Sequence, residues 1–198
     1  MENRPIFRNK ENQKKEHSVF DELFDWFDAI IAAVVIVVII FTFVFRVVGI
    51  KGSSMEKTLI ENDKVVITNM SYTPKKGDIV VISRNYSNDN TGTGNFDEPI
   101  IKRVIATEGQ WVDIDFDNGI VYVDGEEIKE PYINMPTTVK HDVDFPLQVT
   151  KGHIFVMGDN RDVSNDSRSS EIGLVDTRYV LGKAVYRIFP FSKIGGLK

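Results

Sequence analysis

Residues Ala29 to Phe45, AIIAAVVIVVIIFTFVF, run for seventeen positions without a charge. No other feature constrains the fold of this 198-residue chain as strongly. Val47 and Val48 continue the run beyond Arg46. At 1.5 Å per residue, a helix over 29–48 covers about 30 Å, the thickness of a bilayer's hydrocarbon core. Arg46 near its end can snorkel to the headgroups, and Trp26 and Phe27 stand where interfacial aromatics belong. A cleaved leader would carry a shorter apolar stretch, about 7–15 residues, ending in a small-residue exit. Here Arg-Val-Val-Gly-Ile-Lys follows instead. The sequence therefore predicts a retained single-pass anchor at the cell membrane. Residues 1–28 form a tail, 29–48 the transmembrane helix and 49–198 a separate domain. Arg4, Arg8, Lys10, Lys14 and Lys15 precede the run, against Arg46, Lys51, Lys57 and Lys64 after it. That mild bias puts the tail in the cytoplasm and the domain outside, since long domains translocate largely regardless of charge.

Beyond Ile50 the texture changes to short β-rich runs punctuated by Gly, Asn, Asp and Pro. They are 64–68, 78–82, 99–105, 120–123, 153–157 and 179–189. Val123-Asp124-Gly125-Glu126 is a two-residue hairpin signal. Residues 85–98 read as a solvated loop, and 107–150, more acidic and irregular, as a smaller β subdomain inserted into the main sheet. No long helical period follows residue 50, so the outer domain is expected to be all-β. About 148 residues suffice for one sizeable core.

With 29 acidic and 24 basic residues the net charge is -5, which offers no basic stripe for a nucleic acid. The chain has no cysteine and three histidines, which leaves little for a metal site.

Ser54, in Gly52-Ser53-Ser54-Met55, lies six residues past the apolar run. Extended backbone keeps it within roughly 20 Å of the hydrocarbon edge. A nucleophile there needs a substrate bond at the membrane surface, such as the site just beyond a secretory leader's apolar region. Several bases are available. His153 sits in a strand-like run, His141 in the irregular region and His17 before the apolar run. Lys57 completes S-x-x-K with Ser54, the pattern of β-lactamases, but the companions S-D-N and K-T-G are absent; Lys57 reads as a solvated turn lysine. Lys102 belongs to a strand in which Ile100, Lys102 and Val104 share a face. Burial of that face would bring the amine from about 10.4 towards the roughly 7–8 a general base needs. Gly158 to Arg168, GDNRDVSNDSR, follows an apolar strand. It is no calcium loop, because Arg161 and Val163 stand at ligand positions and no glutamate closes it.

Three ordered segments carry a resemblance. Gly52-Ser53-Ser54-Met55-Glu56-Lys57-Thr58-Leu59 resembles the nucleophile box of bacterial type I signal peptidases, G-x-S-M-x-P-T-L. Lys102-Arg103-Val104-Ile105 resembles that family's lysine box, and Gly158–Arg168 matches its G-D-N-R-x-x-S-x-D-S-R box at every fixed position. Gly77-Asp78-Ile79-Val80 resembles its G-D-[IV]-V strand. The likeness spans roughly residues 29–191.

The resemblance implies a Ser/Lys serine endopeptidase that removes signal peptides from secretory precursors after small residues at -1 and -3, without cofactor or metal. It implies Ser54 as nucleophile, its backbone N–H as an oxyanion donor and Lys102 as base. Ser164 would hydrogen-bond the lysine amine, Asp166 would pair with Arg168, Asp159 would support the loop, and Met55 would meet substrate. Where some relatives carry a serine as second oxyanion donor, this chain has Gly52. Lys57 replaces the usual proline, and Ala106, Glu108 and Gln110 replace the usual Gly, Pro and Asp after the lysine box. Two other classes share parts of this pattern: an inactive anchored β-domain, and a self-cleaving repressor-type Ser/Lys protease, which would carry a DNA-binding segment in place of the apolar run.

Overall fold

The computed structural model describes residues 19–43, 45–68, 72–83 and 98–197. Most of the expected tail and nearly all of the expected 85–98 loop lie outside the described residues. The chain divides into two compact units, residues 1–40 and 41–198.

The described part of the first unit is helical: it belongs to α1 (Val19–Phe43), 25 residues long, which runs three residues past the unit's boundary. Its described large apolar side chains face outward, from Phe20 and Trp26, each 71% exposed, to Ile39. Among the described residues no helix is long and apolar enough to cross a membrane. The helix starts earlier than 29 and takes in residues 21–28. It also ends earlier than 48, because Phe45–Gly49 is a strand, β1. The β-branched Val47 and Val48 suit either state. The ladder decides, since β1 pairs antiparallel with β2 (Lys64–Thr68) from Phe45↔Thr68 to Gly49↔Lys64.

The second unit is mainly β, as the sequence led one to expect. After β1 and β2 come β3 (Ile79–Ile82), β4 (Ile100–Thr107), β5 (Trp111–Asp115), β6 (Ile120–Val123) and β7 (Glu126–Glu127). Then follow β8 (Leu147–Gln148), β9 (His153–Met157), β10 (Val175–Asp176), β11 (Val180–Phe189) and β12 (Gly195–Gly196). The larger sheet runs β1-β2-β11-β3-β4-β9-β10 with β12 on β11, and the smaller runs β7-β6-β5-β8. Every pairing is antiparallel. The smaller sheet lies wholly between β4 and β9, which are themselves neighbours. The central β3, Ile-Val-Val-Ile, is buried on both faces, which is why it reads as a continuous apolar run. The β6–β7 hairpin turns on Asp124 and Gly125, both at positive φ (56° and 80°), as the Asp-Gly signal requires.

Of the three departures after the lysine box, Ala106 lies near the end of β4, opposite Phe155 of β9, and Glu108 and Gln110 lie in the turn from β4 into β5. Ala106 is fully buried. Gly109 takes φ 86°, Gln110 accepts from Thr107 N–H at 3.0 Å, and Glu108 accepts from Gly152 N–H at 2.8 Å. Glu108 and Gln110 thus close this turn with bonds of their own.

Candidate active site

Ser54 lies in the turns between β1 and β2. Its neighbours Met55 and Leu59 plug the core beneath it, at 1% and 0% exposure, with Ile50, Val65 and Ile67. Burying such side chains stabilises by about 1.5–3 kcal/mol each, so the turn is pinned from below. Met55, expected to meet substrate, thus presents almost no surface and acts here as a core anchor.

Lys102 is the third residue of β4, opposite Val80 of β3. Ile100 and Val104 on its face pack with Val80, Ile82 and Val156. Its side chain emerges from this apolar wall, 4% exposed. Its Nζ donates to Ser54 Oγ at 2.8 Å. Burial pushes the Lys102 amine down from 10.5 to about 8; Asp166 and Asp159 oppose the shift and Arg168 adds to it. At neutral pH roughly one amine in ten is then uncharged and able to accept a proton.

The segment after β9 closes over the nucleophile. Asn160 N–H donates to Ser54 O at 2.9 Å, and Asn160 Nδ2 to Ser53 O at 3.1 Å. Gly158 fits only because it lacks a side chain: a Cβ there would lie 2.2 Å from Ser164 Oγ and 2.4 Å from Ser54 O. Asp159 receives Arg103 Nε at 2.8 Å and Nη2 at 2.7 Å, and Thr58 Oγ1 at 2.5 Å. One buried carboxylate thereby joins the segments of all three motifs. Asp166 takes Arg168 Nε at 2.8 Å and Nη2 at 3.0 Å, and Gly158 N–H at 3.0 Å. Burial would raise the Asp166 carboxyl, but the Arg168 guanidinium and the Gly158 N–H outweigh it and hold it below the usual range.

One expected contact is corrected. Ser164 is 1% exposed, and its Oγ has no hydrogen-bond partner among the described residues. It packs on Gly158, while the Lys102 amine is engaged by Ser54. Gly52 has φ 75° and open space around it.

The remaining candidates stand apart. His153 Nδ1 lies 2.8 Å from Lys151 O and 3.2 Å from Thr150 Oγ1. The Nε2 of His141 is buried without a partner among the described residues, and His17 lies outside them. Lys57 Nζ donates to Pro131 O and Ile133 O. Among the described residues no three His, Asp or Glu side chains gather as a metal site. Sequence reasoning assigned nothing to Asn160, Thr58, Arg103, Arg161, Glu130 or Tyr132. Arg103 and Arg161 stood in fixed motif positions, which was a usable signal; Glu130 and Tyr132 gave none.

A family model described as "Signal peptidase, peptidase S26" matches residues 23–189. A signal peptidase I of Bacillus licheniformis is 34% identical over 192 residues, covering 92% of this chain and 97% of the relative. A signal peptidase IB of Staphylococcus aureus (strain Mu50 / ATCC 700699) is 33% identical over 192 residues, covering 87% and 92%. A crystal structure of a signal peptidase I from Enterococcus faecalis V583 aligns with a TM-score of 0.42 and 25% identity, covering 57% of this chain and 97% of that one.

Proposed function

Since the chain belongs to the peptidase S26 family of signal peptidases, we propose that it removes signal peptides from secretory precursors with a Ser54/Lys102 dyad. The observation that carries this reading is the 2.8 Å bond from Lys102 Nζ to Ser54 Oγ, made by an amine whose burial brings it near the working range of a general base.

Ser54 Oγ attacks the scissile carbonyl carbon while neutral Lys102 takes the hydroxyl proton. The Ser54 N–H faces the developing oxyanion. As the C–N bond breaks, the Lys102 ammonium protonates the leaving amine. Water, deprotonated by Lys102, then attacks the acyl-enzyme; the ester C–O bond breaks and Lys102 returns the proton to Ser54 Oγ. Asp159, Asp166 and Arg168 hold the surrounding loop, and Gly158 keeps Ser164 close to the nucleophile. Small residues at -1 and -3 of the precursor fit this reading.

The membrane anchor is the apolar run. The charge-free part of α1, Ala29–Phe43, covers about 22 Å at 1.5 Å per residue, short of a hydrocarbon core of about 30 Å, and local thinning of the bilayer makes up the difference, with Trp26 and Phe27 beside it as interfacial aromatics. The tail is cytoplasmic and residues 49–198 are extracytoplasmic. A precursor held by its own apolar segment then meets Ser54 at the surface.

Purified full-length protein is incubated with one secretory precursor and the new N-terminus is sequenced. A single cut after an A-x-A-like triplet, lost in Ser54→Ala, is expected. Cutting that persists in Ser54→Ala would refute the reading.

A further inference from the structure

The side chain at position 57 does more than occupy a turn. Thr58 N–H closes a β-turn onto Met55 O at 3.0 Å, with Lys57 third in the turn at φ 82°. Residues other than glycine rarely enter that region. The Lys57 stem leaves the turn and its Nζ donates to Pro131 O at 2.8 Å and Ile133 O at 3.0 Å.

The receiving segment, Glu130–Asn134, belongs to the connection between β7 and β8 and is held by the other two motif segments as well. Arg161 Nη1 and Nη2 donate to Glu130 at 2.9 and 2.5 Å. The Arg103 guanidinium lies 3.9 Å from the centre of the Tyr132 ring. Asn134 N–H donates to Asp159 O at 3.3 Å. The brace is thus fixed to the strand that carries Lys102 and to the loop over the nucleophile. Among the described residues, Lys57 is the only side chain of the 53–59 turn hydrogen-bonded to it.

We propose that Lys57 is a positioning residue: its ammonium clamps the nucleophile turn to the Glu130–Asn134 brace and so sets Ser54 against Lys102. The inference rests on the nucleophile assignment above. A chain with a neutral side chain at 57 keeps its core, through Met55 and Leu59, and its link through Thr58 and Asp159 to Arg103, but loses the tie that fixes the turn to the brace.

The test uses the full-length chain in detergent and a peptide spanning a precursor cleavage site. In Lys57→Met, kcat is expected to fall about tenfold, since small displacements of a catalytic group cost up to about a hundredfold, with KM within twofold. Lys57→Arg, which keeps the donor, recovers most of the rate. Lys57→Gly suits the backbone, so misfolding is not at issue, and it is expected to lose as much as Lys57→Met. A kcat within twofold of wild type in Lys57→Met or Lys57→Gly, with Ser54→Ala inactive, overturns this inference alone. An arginine variant as slow as the methionine one overturns it too. An active Ser54→Ala overturns both this inference and the nucleophile assignment.

Discussion

Asp166→Ala removes one member of an ion pair whose two side chains are both fully buried. Arg168 then keeps three neutral acceptors, Val139 O at 3.0 Å, Arg161 O at 2.7 Å and Ser164 O at 3.3 Å, and no counter-charge. Gly158 N–H loses its acceptor as well. Breaking one side of such a pair costs about 3–5 kcal/mol. For a domain of this size each kcal/mol moves Tm by about 2–4 °C, so a drop of about 6–20 °C is expected. Thermal melts of the full chain in detergent, followed by circular dichroism, measure it. Replacing both partners, Asp166→Ala with Arg168→Met, should recover part of the loss, because no buried charge is then stranded. The pH dependence has a definite sign. Asp166 has its folded pKa held below the ordinary value. Its contribution is therefore full above the unfolded pKa near 3.9 and is lost as pH falls towards the folded value. The gap between wild type and variant should close below about pH 4. A single variant melting within 2 °C of wild type at pH 7 would refute the burial argument.

Gly158→Ala should slow cleavage at least tenfold in a protein that still folds, because the added Cβ meets Ser54 O at 2.4 Å and Ser164 Cβ at 2.5 Å; single-turnover rates check this. His153→Ala should cleave within twofold of wild type, since among the described residues the ring bonds only within its own turn; an inactive folded variant would reopen the choice of base. Lys57→Pro, although proline is usual at that place in the family's box, should lower both rate and Tm further than Lys57→Met, because proline holds φ near −65° while the turn needs 82°. Protease shaving of intact cells should digest residues 49–198, and their protection would reverse the orientation.

The β-rich runs were legible because alternation and turn chemistry agree with burial: Lys64–Thr68, Ile120–Val123 and His153–Met157 stand where the sequence put them. Phe45–Gly49 was not, because its β-branched residues continue an apolar run and only pairing with β2 distinguishes strand from helix. Trp111–Asp115, in a stretch read as irregular, forms a strand because Val112 and Ile114 find a shared core. Ser54 and Lys102 were readable as candidates from motif and spacing, and the structure places them 2.8 Å apart. The geometry that joins them was not, since Asn160 acts on residue 54 across more than a hundred positions and Lys57 acts through two backbone carbonyls. Ser164 shows the reverse: the motif supplied a hydrogen bond that packing on Gly158 does not make.

The dyad itself is tested most directly by the pH dependence of kcat/KM for wild-type cleavage of a precursor peptide, which reports the ionisation of the free enzyme's essential groups. With Lys102 lowered to about 8 by its burial, and active only when uncharged, activity should be low at pH 6, rise roughly tenfold per unit, and reach half its limit at about pH 8. A half-rise near 6.5, where an ordinary histidine titrates, or a rate that is flat from pH 6 to 9, would contradict a Ser54/Lys102 mechanism.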